Sequence, residues 1–186
     1  MNRRVGTGFT LIEVLVAMII FLVSALGIAG LVIRNIQHET ESYQRVQGQV
    51  LLQNMVDRLS ANRQVAACYS NSAVGLDLGT ASAAIPACGA GTAAQRSQAD
   101  RDLLSWDLLL KGAAEKNADN SDVGAMMGAR GCIRQIDAAN RIYRISVSWQ
   151  GTGPTVVPAD ECGKNSYGDE QYRRTLSAVV RFGGLS

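Results

Sequence analysis

The chain has 186 residues, 47% of them hydrophobic, with 18 Lys and Arg against 16 Asp and Glu and one histidine. That length leaves room for one domain with a real core plus an appendage. The formal net charge of +2 gives no electrostatic argument for nucleic acid or other anionic partners, and a single histidine leaves a Ser or Cys triad without a convincing base.

From Phe9 to Ile33 the only charged residue is Glu13. An apolar run of that length exceeds the ~20 residues that cross a bilayer as a helix. A secretory signal peptide has an apolar core of only ~7 to 15 residues and closes on a small-residue cleavage site. Here the run is longer and no A-x-A site ends it, so the segment is expected to stay in the mature protein. Arg3 and Arg4 ahead of the span favour a cytoplasmic N-terminus and place the bulk of the chain on the far side. Inside the span Gly27 and Gly30 each cost about 1 kcal/mol relative to alanine. Two readings of them stand open: close helix packing in the membrane, or a point where the helix loosens.

Nothing from Phe9 to Arg63 stops a helix, and one continuous helix of that kind would be roughly 80 Å long. Its second half, residues 34–64, carries Ile36, Tyr43, Val46, Val50, Leu52, Met55, Val56 and Leu59, an apolar stripe that should pack on a globular partner in the same chain. From Ala66 to Asp100 the composition turns to Ala, Gly, Ser and Thr, which predicts a long surface loop. "DRDLLSWDLLLKGA" then predicts a short amphipathic helix ending near Gly112.

The last third changes period. Tyr143, Ile145, Val147 and Trp149 alternate with polar residues, as do Tyr172, Leu176, Ala178, Val180 and Phe182, which predicts strands with one wet and one dry face. "GCIRQID" is a third strand, joined to the first of these by a tight turn. Arg173 and Arg181 fall on the wet face, whereas Arg174 interrupts the dry one and needs a carboxylate partner. A dry face needs a cover, and the stripe of the long helix is available. The expected class is α+β, a helical stalk with a head over 65–186, divided into a loop region 65–130 and a β-sheet 131–183.

Cys68, Cys88, Cys132 and Cys162 would then lie in a compartment that permits disulfides. Their even number and the lack of a C-x-x-C spacing favour two bridges over zinc. Three pairings are possible; nearest neighbours, Cys68 with Cys88 and Cys132 with Cys162, are the expectation.

Glu13 is the puzzle of the span, because a mid-membrane carboxylate costs about 3 kcal/mol. A local account exists: Thr10 and Glu13 form a T-x-x-E capping box, and the charge complements the helix dipole. The whole stretch "GTGFTLIEVLVAMIIFLV", however, closely resembles the class III signal of type IV pilins and pseudopilins. There a short basic leader ends in glycine, followed by phenylalanine, a T-L-I-E or similar tetrapeptide and an apolar helix. The resemblance implies the type IV pilin fold, a long N-terminal helix on an antiparallel sheet. It also implies a leader of residues 1–8 cut by prepilin peptidase between Gly8 and Phe9, N-methylation of Phe9, a transmembrane and assembly helix over 9–33, and pairing of Glu13 with the N-terminal amine of a neighbouring subunit.

The later segments "QNMVDRLSANR", "LLSWDLLLKGA", "GARGCIRQID", "YRISVSWQGTG" and "YRRTLSAVVRF" resemble minor pilins of the PilV type, the type IV pilus modification proteins. This implies a noncatalytic subunit that helps initiate pilus assembly and sits at the tip. The implied partners are other minor pilins, the major pilin, the prepilin peptidase, the inner-membrane assembly platform and a tip adhesin. The implied location is the inner membrane, head in the periplasm, before assembly, and the extracellular pilus afterwards. One departure stands out: major pilins usually carry proline where this chain has Gly30, so any local melting would have to come from glycine. Two other readings compete, a pseudopilin of a type II secretion system and a membrane-anchored module that binds DNA or a surface ligand.

No catalytic constellation can be assembled. His38 falls on the polar side of the stalk. Neither G-x-x-x-x-G-K-[ST] nor G-x-G-x-x-G occurs, so no cofactor is expected. "DNSDVGAMMGAR" fails the spacing of a calcium loop, with Arg130 where the bidentate glutamate belongs, so no metal is expected. Trp106 and Trp149 read as core residues, and without a basic excess or an aromatic platform no nucleic acid is expected.

Overall fold

The computed structural model describes residues 8–82, 84–112, 118–119 and 126–183. Two compact units divide the chain, Met1–Thr40 and Glu41–Ser186, and helix α1 (Leu11–Ala61) runs through the division. In the first unit the helix is unbroken at Gly27 and Gly30, where an added Cβ would meet nothing within 4 Å. Ser24 and Thr40 turn their hydroxyls back onto the helix, donating to the carbonyls of Ile20 (2.8 Å) and Ile36 (2.9 Å), so neither hydroxyl is left without an acceptor.

The second unit is built on a four-stranded antiparallel sheet in the order β1-β2-β3-β4. Its strands are β1 (Leu76–Gly79), β2 (Arg130–Asp137), β3 (Ile142–Gln150) and β4 (Arg173–Arg181). The register sets Leu76 and Leu78 of β1, Gly131 and Ile133 of β2, Tyr143 to Trp149 at alternate positions of β3, and Leu176, Ala178 and Val180 of β4 on one face. That face is dry: Ile133, Ile145 and Val147 are wholly buried. The second half of α1 and a further helix, α3 (Ala93–Leu110), supply its cover. Trp106 of α3 lies so close over Gly131 that a Cβ there would come within 2.2 Å of the indole. The indole Nε1 donates to the Leu51 carbonyl of α1 at 2.9 Å, which ties the two covering helices together.

The stripe of the stalk turns out to be phased differently from the expectation. On α1 the buried residues are Gln44, Gly48, Met55 and Leu59, with Leu51, Leu52 and Val56 packed at the margin. Tyr43, Val46 and Val50 are about half exposed. The reason is steric: a Cβ on Gly48 would stand 2.8 Å from the Trp149 ring, so the smallest residue of the helix, and not its β-branched ones, faces the bulkiest side chain of the sheet.

The stretch expected as a surface loop is more ordered than its composition suggests. A short helix, α2 (Ala66–Tyr69), follows a 3₁₀ turn (Arg63–Val65), and β1 adds a strand that pairs with β2. The helix expected near Trp106 begins much earlier, at Ala93, behind a full capping box in which Thr92 and Gln95 exchange bonds. A T-x-x-Q sequence is a recognised start signal, here placed inside a run of small residues.

The wet face also departs from expectation. Ser146 and Ser148 are buried, because the 22-residue connection 151–172 between β3 and β4 folds back over them. Asp160 accepts from Ser146 Oγ at 2.8 Å, and Tyr167 Oη lies 3.0 Å from Ser148 Oγ and donates to the Gly128 carbonyl at 2.9 Å. Arg173, expected in solvent, is 1% exposed because this cover closes over it. Arg181 is exposed.

Disulfides join Cys68 to Cys88 and Cys132 to Cys162, with Cα atoms 5.3 and 5.7 Å apart. The second fastens the covering connection to β2. It closes a 30-residue separation, for which chain-entropy reasoning gives about 3.6 kcal/mol. Cys132→Ser with Cys162→Ser should therefore lower the unfolding free energy by about 3 to 4 kcal/mol in urea titration, whereas a change under ~1 kcal/mol would mean that the cover holds itself.

Candidate functional site

The site begins where α1 begins. The Thr10 carbonyl accepts from the N–H groups of Glu13 (3.1 Å) and Val14 (3.3 Å), and the Thr10 hydroxyl accepts from Glu13 N–H at 3.4 Å. Thr10 thus caps the helix, and among the described residues no bond returns from the Glu13 carboxylate to the Thr10 N–H. The capping reading accounts for Thr10 and for half of the box only. Glu13 lines a shallow groove of about 490 Å³ that is almost wholly apolar, together with Ala17, Met18 and Phe21 of the helix and Phe9 just ahead of it. Phe9 is 84% exposed and Phe21 72%.

The span is long and apolar enough to cross a membrane, and none of its most apolar stretch is buried against the rest of the chain. Gly8, just ahead of Phe9, has open space around it. Arg3 and Arg4, the basic residues ahead of the span, lie outside the described residues.

In the second unit a different constellation fixes α1 to the sheet. Arg174 forks onto the Glu41 carboxylate through Nε (3.2 Å) and a terminal nitrogen (3.0 Å). Its remaining donors reach the carbonyls of Gly153 (2.6 Å) and Gln171 (3.0 Å) and the Thr155 hydroxyl (2.7 Å). Glu41 also accepts from the Thr152 N–H at 2.7 Å and its hydroxyl at 3.0 Å. The carboxylate partner that the sequence demanded for Arg174 is therefore Glu41, 133 residues away. Periodicity alone could not name it.

Two further networks join the covering elements. Asp102 of α3, nearly buried, accepts from Tyr69 Oη (2.6 Å), Arg58 (3.0 Å) and Gln98 (2.9 Å). Burial and the neighbouring carboxylate push the Tyr69 phenol well above its ordinary value. Asp107 accepts from the Gly79 N–H (2.7 Å), Ser82 (2.9 Å) and Lys111 (2.6 Å). For both Glu41 and Asp107 burial works to raise the pKa, but the bonds from Arg174 and Thr152, and from Lys111, Gly79 and Ser82, outweigh it and hold each carboxyl below its ordinary value of 4.5 or 3.8. A depressed carboxylate stabilises the fold at any pH above its unfolded value and loses that contribution as pH falls through the folded one. Denaturation midpoints should accordingly be flat from pH 7 to about 5 and decline below about pH 4, and Asp107→Asn should shrink the decline; an unchanged acid slope in that variant would exclude Asp107 as a source.

Among the described residues no group of three His, Cys, Asp or Glu could hold a metal. Of the stretch expected to fail as a calcium loop, residues 120–125 lie outside the described residues.

Compared with known proteins, the chain matches the family described as "Prokaryotic N-terminal methylation motif" over residues 3–29. No curated protein and no solved structure matches the chain. The motif supports a type IV pilin-like or pseudopilin-like protein, and the fold agrees in arrangement, a long N-terminal helix packed on a four-stranded antiparallel sheet. Motif and apolar helix together fit anchoring in the inner membrane with assembly into a pilus. Proteins with this motif are structural subunits, not enzymes.

Proposed function

We propose that the chain is a minor pilin that helps initiate type IV pilus assembly and sits at the pilus tip with other minor pilins, without catalytic activity. In this reading prepilin peptidase cuts between Gly8 and Phe9 and the new Phe9 amine is methylated. Residues 9–33 hold the subunit in the inner membrane, head in the periplasm. The freed amine of one subunit then meets Glu13 of its neighbour, and the head over 65–186, with the helix over 34–64, selects partners. These are other minor pilins, the major pilin, the assembly platform and a tip adhesin. The observation that carries the reading is Glu13 on an apolar, uncovered helix face four residues after a glycine–phenylalanine junction.

Intact mass and N-terminal sequencing of the mature chain test it. A chain beginning at N-methylated Phe9 is expected; a mature chain that retains Met1 overturns the proposal. A pseudopilin would carry the same mature end, and deletion separates the two: loss of piliation supports the minor pilin, loss of protein secretion with intact pili the pseudopilin.

A further inference from the structure

The sheet ends in β4, and the outer edge of that strand is open. All nine residues of β4 pair with β3 without a bulge. Just beyond the two ends of this pairing the Gly151 N–H donates to the Tyr172 carbonyl (2.8 Å) and the Phe182 N–H to the Arg141 carbonyl (3.2 Å). Bonded and non-bonded pairs alternate along an antiparallel ladder. Arg174, Leu176, Ala178 and Val180 therefore turn their N–H and C=O groups to β3, whereas Thr175, Ser177, Val179 and Arg181 turn theirs outward. Among the described residues none of these outward groups has a backbone partner. Such a row is a template for a further strand, and edges are ordinarily blunted by brevity, proline, a bulge or charge. The opposite edge strand, β1, has only four residues; from Thr175 to Val180, β4 carries none of these devices.

The open edge borders an unfinished part of the core. Leu176 and Val180 pack against the core but are only partly buried, as are Leu52 and Val56 of α1. Arg45, Leu52 and Val56 succeed one another on one side of α1, at spacings of seven and four residues. Where that side meets β4 a cleft of about 520 Å³ opens, with Glu41, Ser42 and Arg45 on the helix and Arg174, Thr175 and Leu176 on the strand. Glu41 is taken by Arg174. Arg45, which is exposed, forms no ion pair among the described residues, so the cleft holds one cation more than its anions. A strand added to an edge gains affinity from main-chain bonds and specificity from the pockets that take its alternate side chains. We propose that the outer edge of β4 takes an extended segment of a partner protein, antiparallel to it, aliphatic where it lies beside Leu176, Ala178 and Val180 and acidic where it reaches Arg45. A second copy of the chain fits less well. Two β4 edges meeting antiparallel are related by an axis normal to the sheet, which sets residues 41–61 of the two copies in opposite directions, although both chains enter the membrane through the helix that leads into those residues. Neither the cleavage motif nor Glu13 enters this assignment.

Fluorescence anisotropy with the full chain in nonionic detergent micelles tests it. The probe is a labelled nonapeptide with threonine at its odd positions, valine at the first three even positions and glutamate at the last, so that the glutamate falls beside Arg174 and Arg45 when the peptide lies antiparallel to β4. It should bind saturably, and N-methylation of its inner threonine amides, which leaves every side chain in place, should weaken binding about tenfold or more. Glutamine in place of the glutamate should weaken binding about threefold, and that preference should vanish in Arg45→Gln. Ser177→Pro removes an outward N–H that the ladder to β3 does not use and should weaken the peptide as much as N-methylation does. If proline unsettles the strand, the N-methylated peptide still gives the answer on the unaltered chain, and Arg45→Gln changes only an exposed side chain without an ion pair. Absence of saturable binding, equal binding of the N-methylated peptide, no preference for glutamate over glutamine, or a concentration-dependent dimer of the chain that Ser177→Pro abolishes would each overturn the proposal.

Discussion

Glu13→Ala is expected to leave the chain in the inner membrane and to abolish its incorporation into filaments. The two outcomes separate because the carboxylate does opposite things in the two settings. In an isolated span it opposes insertion by about 3 kcal/mol at most, less near the interface, so alanine anchors at least as well. On the proposed reading, the carboxylate and the freed Phe9 amine each penalise a bundle of apolar helices unless they meet. Removing one partner of such a pair leaves the other buried and uncompensated, at a cost of about 3 to 5 kcal/mol, or a factor of about 100 or more in the assembly equilibrium. Loss of a favourable charge in the first helical turn amounts to about 0.3 to 1 kcal/mol, too little for the same effect. Glu13→Gln separates the causes further, since it keeps size and polarity and removes the charge. Quantitative detection of the chain in sheared pili against the membrane fraction reads both variants. Wild-type amounts of the Glu13→Gln variant in the filament would show that the charge is not the docking element.

Arg173→Met should be the most damaging single change in the head. The guanidinium is buried, and every nitrogen has an acceptor: Nε on Glu170 at 2.6 Å, and the terminal nitrogens on the carbonyls of Asp160, Cys162 (3.1 Å) and Pro158 (3.2 Å). Methionine fills much of the volume but leaves three carbonyls and a carboxylate without their donor. The expected loss is about 3 to 5 kcal/mol in urea denaturation, with faster amide exchange over residues 158–172. Arg173→Lys keeps the charge but not the planar fork, and one ammonium cannot reach four acceptors; a loss of about 1 to 2 kcal/mol is expected. Because the Cys132–Cys162 disulfide fastens the same connection, the effects of Arg173→Met and of removing that bridge should fall short of additive. A loss below ~1 kcal/mol for Arg173→Met would show that the cover does not depend on this residue.

The two variants fall on opposite sides of a divide between chain-local and long-range information. A span that is apolar all round, capped by Thr10 and marked by one carboxylate, is a property of consecutive residues, because helical spacing and side-chain hydropathy suffice to write it. The α+β class, the strands around Tyr143 to Trp149 and Leu176 to Phe182, the hairpin between β2 and β3, and a helix through Trp106 were likewise legible in periods of 2 and 3.6. What those periods could not supply was decided by contacts between distant residues. Gly48 rather than Val46 or Val50 meets the sheet because only glycine lets the Trp149 ring approach. Leu76 and Leu78 become a strand because β2 offers an edge to pair with, although the run around them is short and rich in small residues. Arg173 is buried because a 22-residue connection with no periodic pattern of its own folds back over a face whose alternation announced solvent. Alternation tells which side chains share a face; whether that face meets water depends on what the remainder of the chain lays upon it, and that is a tertiary property.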